Sequence, residues 1–181
     1  MKRYAVTAIG RDTPGIVAAV TKALYEHGAN IEDSSMTRLE DEFAIILIMT
    51  IDKKAGIKPL LKDLKQVESS LGLAIHVKEI EKRPTPTIGQ EESSHIIIIH
   101  GADKAGIVYK TTSLLAGMGV NITDLETKIL SKGDQPAYIM VLEVFIPKEI
   151  QFKTVEDSLK NLGEKLDVAI KIKPVEAYEP L

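Results

Sequence analysis

The chain contains no cysteine and no tryptophan, and aromatic residues make up only 4% of its 181 residues. Without cysteine it can form no disulfide, carry no thiol nucleophile and offer no thiolate to a metal. No apolar run approaches the roughly 20 residues that a membrane-spanning helix needs. The opening Met1-Lys2-Arg3-Tyr4 passes straight into alternating strand sequence and lacks the apolar core of a secretory signal, so a cytoplasmic protein with no membrane contact is expected. Nor is there a charge excess. The net charge is −3, which speaks against a nucleic-acid surface.

Catalytic signatures are missing as well. The four histidines, His27, His76, His95 and His100, have no metal-ligand spacing, and two residues five apart on a strand face opposite sides. No G-x-S-x-G, P-loop or H-E-x-x-H pattern occurs. The Gly10-x-Asp12-x-x-Gly15 pattern lacks the G-x-G of a dinucleotide fingerprint. Lys53, Lys54, Lys58, Lys62 and Lys65 form a basic edge, but Asp52, Asp63 and Glu68 interrupt it, as on a solvated helix face. The expectation is a non-enzymatic protein with no metal or cofactor.

What is present is a repeat. GRDTPGIVAAVTKALYEHGANIED, from Gly10 to Asp33, recurs 91 residues later as GADKAGIVYKTTSLLAGMGVNITD, from Gly101 to Asp124, with 11 of 24 positions identical. Two copies are too few for a solenoid. They point to two small domains, 1–82 and 95–181, with 83–94 between them. That segment has no periodicity and holds two prolines, as an extended linker does.

The elements follow in order. Residues 4–9 read as a strand. Asp12-Thr13-Pro14 reads as a helix start, with Asp12 or Thr13 as the cap and Pro14 in the first turn. Ile16, Val17, Val20, Ala23 and Leu24 keep helical spacing, and Gly28 ends the helix. Residues 30–39 and 43–51 form a hairpin, 57–71 a second helix with Pro59 in its first turn, and 73–80 a fourth strand. The second half repeats the order with strands at 95–100, 121–130, 137–146 and 168–175 and helices at 106–118 and 148–166. The final strands align at an offset of 95, so four extra residues fall near 131–135, at a hairpin tip that tolerates insertion. Residues 178–181 read as a tail.

Each half is therefore β-α-β-β-α-β. The class is α+β, two tandem ferredoxin-like βαββαβ domains, each an antiparallel four-stranded sheet with both helices on one face. The runs Ile45-Ile46-Leu47-Ile48-Met49 and Ile96-Ile97-Ile98-Ile99 do not alternate. A sheet with one wet face should read apolar-in, polar-out, so these runs point to a second face covered by another domain or chain, or to strands central in a joint sheet; the plain alternative is a central strand of a small domain that is simply very apolar.

The pattern G-x-D-x-P-G-I-V, followed after the helix by G-x-N-I-x-D, resembles the ACT domain. The first copy carries it as Gly10, Asp12, Pro14, Gly15, Ile16, Val17, Gly28, Asn30, Ile31 and Asp33. The second keeps Gly101, Asp103, Gly106, Ile107, Val108, Gly119, Asn121, Ile122 and Asp124, with Ala105 in place of the proline. The resemblance implies a regulatory module without catalysis. It also implies domains paired side by side or in a homo-oligomer such as a dimer, and a small amino acid, glycine- or serine-like, bound where two domains meet. A protein partner such as a transcriptional activator is implied in place of direct nucleic-acid contact. An adaptor without a ligand, or an allosteric subunit of a separately encoded enzyme of amino-acid metabolism, are the alternatives.

The chemistry of the motif suits a zwitterion. N–H groups near Gly15 and Ile16 sit at the positive end of a helix dipole and favour a carboxylate. Asp12 offers an acceptor for an ammonium, and Asn30 can donate and accept. The candidate ligand contacts are Asp12, Thr13, Pro14, Gly15, Ile16, Asn30 and Ile31, with Asp103, Lys104, Ala105, Gly106, Ile107, Asn121 and Ile122 in the second copy. Each also has a purely structural reading: Asp12 as a helix cap, Gly15 as a tight packing point, Asn30 as a strand-start residue and Lys104 as a solvated cation.

Overall fold

The computed structural model describes residues 1–52, 56–81, 92–130 and 137–175. The chain divides into two compact units, Met1–Pro84 and Thr85–Leu181. The first runs β1 (Lys2–Arg11), α1 (Ile16–Glu26), β2 (Asn30–Leu39), β3 (Glu42–Ile51), α2 (Lys58–Leu71) and β4 (Ala74–Ile80). The second runs β5 (Glu92–Ala102), α3 (Ile107–Gly117), β6 (Asn121–Leu130), β7 (Ala137–Pro147), α4 (Phe152–Leu166) and β8 (Val168–Pro174). The sheet orders are β2-β3-β1-β4 and β6-β7-β5-β8, with every neighbouring pair antiparallel. Both units are the expected βαββαβ fold.

Alternation fixes which face meets the helices. Tyr4, Val6 and Ala8 of β1 and Phe43, Ile45, Leu47, Met49 and Ile51 of β3 are buried. They pack on Ile16, Val20 and Leu24 of α1 and Leu60 and Leu64 of α2. Each fully buried side chain of this size contributes about 1.5–3 kcal/mol. In the second unit Ile97, Ile99, Met140, Leu142 and Val144 meet Ile107, Leu115, Val155 and Leu159. Both helices of a unit thus lie on one face. The opposite faces are open within their own units: Ile46 is 46% exposed, Ile96 37% and Ile98 38%. The unbroken apolar runs therefore hold one buried and one exposed set of side chains.

Several boundaries differ from the sequence reading. β1 and β5 run longer because pairing continues past the apolar residues, to Arg11↔Glu42 at one end of β1 and Glu92↔Pro147 at the start of β5. Residues 92–94, expected in the linker, belong to that strand. α4 starts at Phe152, since Lys148 to Gln151 form a turn in which the Ile150 N–H bonds the Pro147 carbonyl. Residues 82–91 of the linker region, the insertion at 131–135 and the tail at 178–181 lie outside the described residues.

The first glycine of each repeat serves packing. A Cβ on Gly10 would lie 2.8 Å from Leu73 Cδ2 and 3.1 Å from the Gly72 carbonyl oxygen, and one on Gly101 would lie 2.8 Å from Val168 Cγ1. These glycines let the end of each first strand press on the start of each last strand.

The edge strand β4 has its first outward N–H taken by a helix side chain. The Ile75 N–H donates to Glu68 of α2 at 3.0 Å. Lys65 also donates to this carboxylate, and these two bonds, the lysine's first, hold the Glu68 carboxyl below its usual range. A group whose folded pKa is depressed stabilises above its unfolded pKa and stops doing so as pH falls through the folded value. The stability gap between the wild type and Glu68→Ala is therefore expected to be full at neutral pH and to close on acidification below the carboxylate range. Urea unfolding across pH checks this, and a gap that persists in strong acid would refute it.

Candidate functional site

The loop between β1 and α1 is not built as a side-chain cap. α1 begins at Ile16 with Gly15 as its N-cap, at φ 99°, and among the described residues no side-chain cap bond forms there. The capping roles expected for Asp12 and Thr13, and the first-turn place expected for Pro14, are corrected: the left-handed turn at Gly15 leaves all three outside the helix. Asp12 instead turns to the hairpin. Its N–H donates to the Asp41 carbonyl at 2.7 Å, and its carboxylate accepts from Arg38 at 3.4 Å. Among the described residues, no atom beyond its chain neighbours lies within 4 Å of where a Gly15 Cβ would stand. Gly15 is thus glycine for its dihedral, and open space faces it.

Ile16 is a core residue, 2% exposed, so only its backbone could meet a ligand. Thr13 and Pro14 are exposed, and so are Asn30 and Ile31.

The second loop repeats this geometry. Gly106 caps α3 at φ 94° with no side-chain cap bond, and Ile107 is buried. Lys104 is not a free cation: it donates to the Leu166 carbonyl at 3.2 Å and to Asp167 at 3.0 Å, clamping the loop to the end of α4. Burial pushes the Tyr138 hydroxyl pKa up, and the charge of Asp103 adds to the shift. Ala105 and Asn121 are exposed, and Ile122 is half-buried.

Asp12 and Asn30 do not meet within a unit. The loop end of the sheet is marked by the pairs Gly10↔Phe43 and Arg11↔Glu42, whereas Asn30 pairs with Thr50. Seven positions along β3 separate Phe43 from Thr50, about 24 Å at a strand's usual rise. Asp103 and Asn121 are divided in the same way, since Gly101 pairs with Tyr138 and Asn121 with Phe145. A small amino acid cannot span that distance. A hollow of about 250 Å³ on the open face of the first sheet, around Thr7, Ser35, Thr37, Ala44 and Ile46, includes no loop residue.

A family model for the ACT domain matches residues 3–78. A UPF0237 protein of Methanopyrus kandleri is 39% identical over 79 residues, 43% of this chain and 88% of that protein. The chain belongs to the ACT-domain family. The glycine cleavage system transcriptional repressor of Escherichia coli is 26% identical over 164 residues, 90% of this chain and 84% of that protein. The crystal structure of an unknown protein from Galdieria sulphuraria matches with a TM-score of 0.80 at 28% identity, over 96% of this chain and 98% of that one. Both likenesses extend across the two ACT domains, as the repeat requires.

Arg38, on β2, is the contact of the loop that sequence reading missed. It is 26 positions from Asp12, and only the hairpin register brings it near. Among the described residues no group of three or more His, Asp or Glu could hold a metal ion, and no helix is long and apolar enough to cross a membrane.

Proposed function

We propose that this ACT-domain protein is a non-enzymatic regulator that binds a small amino acid between paired ACT domains and passes the signal to a protein partner. The observation that carries this reading is the open ground before Gly15. Uncapped N–H groups of α1, a residue with no side chain and the half-exposed Asp12 converge there. The donors suit the ligand carboxylate through the helix dipole, and Asp12 suits its ammonium. Since Asn30 stands at the far end of its own sheet, the complete site joins the loop of one domain to the β2 start of another. Ligand binding then favours the paired arrangement, which is the differential affinity a switch requires. The likeness to the Escherichia coli glycine cleavage system transcriptional repressor over both domains supports a role in transcriptional regulation; action through a partner protein is part of the proposal.

Thermal unfolding against the twenty amino acids, beginning with glycine and serine, tests this. A ligand at 100 times its Kd adds about 2.7 kcal/mol, which raises the Tm of a domain of this size by roughly 11–22 °C. A selective shift is expected. A flat panel at millimolar concentrations would leave the adaptor reading in its place.

A further inference from the structure

The two ACT domains treat their last edge strand differently. In the first, Glu68 takes the outward N–H of Ile75. The equivalent of Glu68 at the offset of 95 is Gly163, which has no side chain to offer. Nor can a side chain be added freely: a Cβ there would lie 2.8 Å from the Val168 carbonyl oxygen and 3.2 Å from Ile170 Cγ1. The direction of the β8 backbone follows from its ladder. The Val175 N–H bonds the Ser94 carbonyl, toward β5. Antiparallel pairing alternates inward and outward groups, so the backbone N–H and C=O groups of Lys173 and Lys171 face β5, and those of Ile172 and Ile170 face outward.

Those outward groups open on a groove of about 380 Å³ between α4 and β8. Ile170 and Ile172, both half-buried, line its helix side. Lys171 and Lys173 pair in register with Ile98 and Ile96 and so flank it on the open face of the sheet. Lys160 stands exposed on α4. None of the three has an ion-pair partner among the described residues; Lys153 pairs with Glu156 and Asp157, which also line the groove, so four lysines face two carboxylates there.

We infer that the edge of β8 and the α4 groove bind an extended acidic segment of a partner protein as a fifth strand, its apolar side chains toward Ile170 and Ile172 and its acidic ones toward Lys171 and Lys173. Added strands gain affinity from main-chain hydrogen bonds and specificity from alternate side chains. The unpaired lysines set the occupant's charge. A second copy of β8 would place lysines against lysines, and like charges directly opposite are destabilising. The inference rests on the reading above only for the existence of a partner.

The test titrates the full chain with a blocked hexapeptide of alternating glutamate and valine, following backbone amides by NMR. Weak saturable binding, with Kd on the order of 100 µM, should perturb Ile170 and Ile172 and weaken as salt rises. Lys171→Glu with Lys173→Glu should reduce affinity at least tenfold, and both sites are exposed, so the variant should fold. Ile172→Pro removes an outward N–H that edge position can spare and should abolish binding. No binding at millimolar peptide, equal binding of a lysine–valine peptide, or perturbation of β2, β4 or β6 instead would overturn the inference. So would concentration-dependent shifts of Ile170 and Ile172 without peptide, which would mark a second copy as the occupant. The amino-acid response should be unchanged in the lysine variant, so the two readings fail separately.

Discussion

Phe43→Ala is expected to split thermal unfolding of the chain into two transitions. Phe43 is 2% exposed and joins β3 to the core beneath α1 and α2. Truncating a buried phenylalanine costs about 3–5 kcal/mol, which in a domain of this size lowers Tm by roughly 12–40 °C. Native domains have only about 5–15 kcal/mol in hand. The second unit has its own core of Ile97, Met140, Leu142 and Val155, and its transition should stay where it was. Calorimetry with residue-resolved amide signals would assign each step. A single transition, moved as a whole, would mean that the two units do not unfold independently.

Asp12→Ala and Asn30→Ala are each expected to remove most of the amino-acid response of the first domain. A hydrogen bond to a charged group contributes about 1.5–3 kcal/mol, so either change should weaken binding roughly 10- to 150-fold. Both positions lie at or near the surface, and stability should hardly move. The informative step is mixing the two variants. If Asp12 of one chain meets Asn30 of another, each mixed pair regains one of its two sites, as an isologous interface requires, and part of the response returns. If the loops instead pair with the second domain of the same chain, mixing restores nothing and Asn121→Ala mimics Asp12→Ala. A double variant that binds ligand normally would end the assignment of Asp12 and Asn30 as ligand contacts.

Much of the fold was legible because the chain states it twice. The bounds of β2 and β6 follow from aligned Asn-Ile starts, and the stripes Ile16–Val20–Leu24 and Leu60–Leu64 mark the inward helix faces. Ladder length was not legible, since Gly10 and Arg11 pair with Phe43 and Glu42 through backbone groups that composition does not reveal. The 148–151 stretch has helix-forming residues but spends its first hydrogen bond on a turn at Pro147. The loop motif announced a site, yet its dihedral logic, with Gly15 in place of Asp12 as the cap, depends on a φ that several residue patterns could have served. The separation of Asp12 from Asn30 was available from topology alone, because β1 and β2 both run antiparallel to β3.

Gly163 also bears on how the two copies can change over time. Here the helix has settled onto the strand until the Val168 carbonyl fills the volume a side chain would need. A glutamate at this position would require α4 and β8 to move apart. A carboxylate at position 163 is therefore not a single exchange away: the backbone spacing of α4 and β8, and not the codon alone, holds the two copies apart.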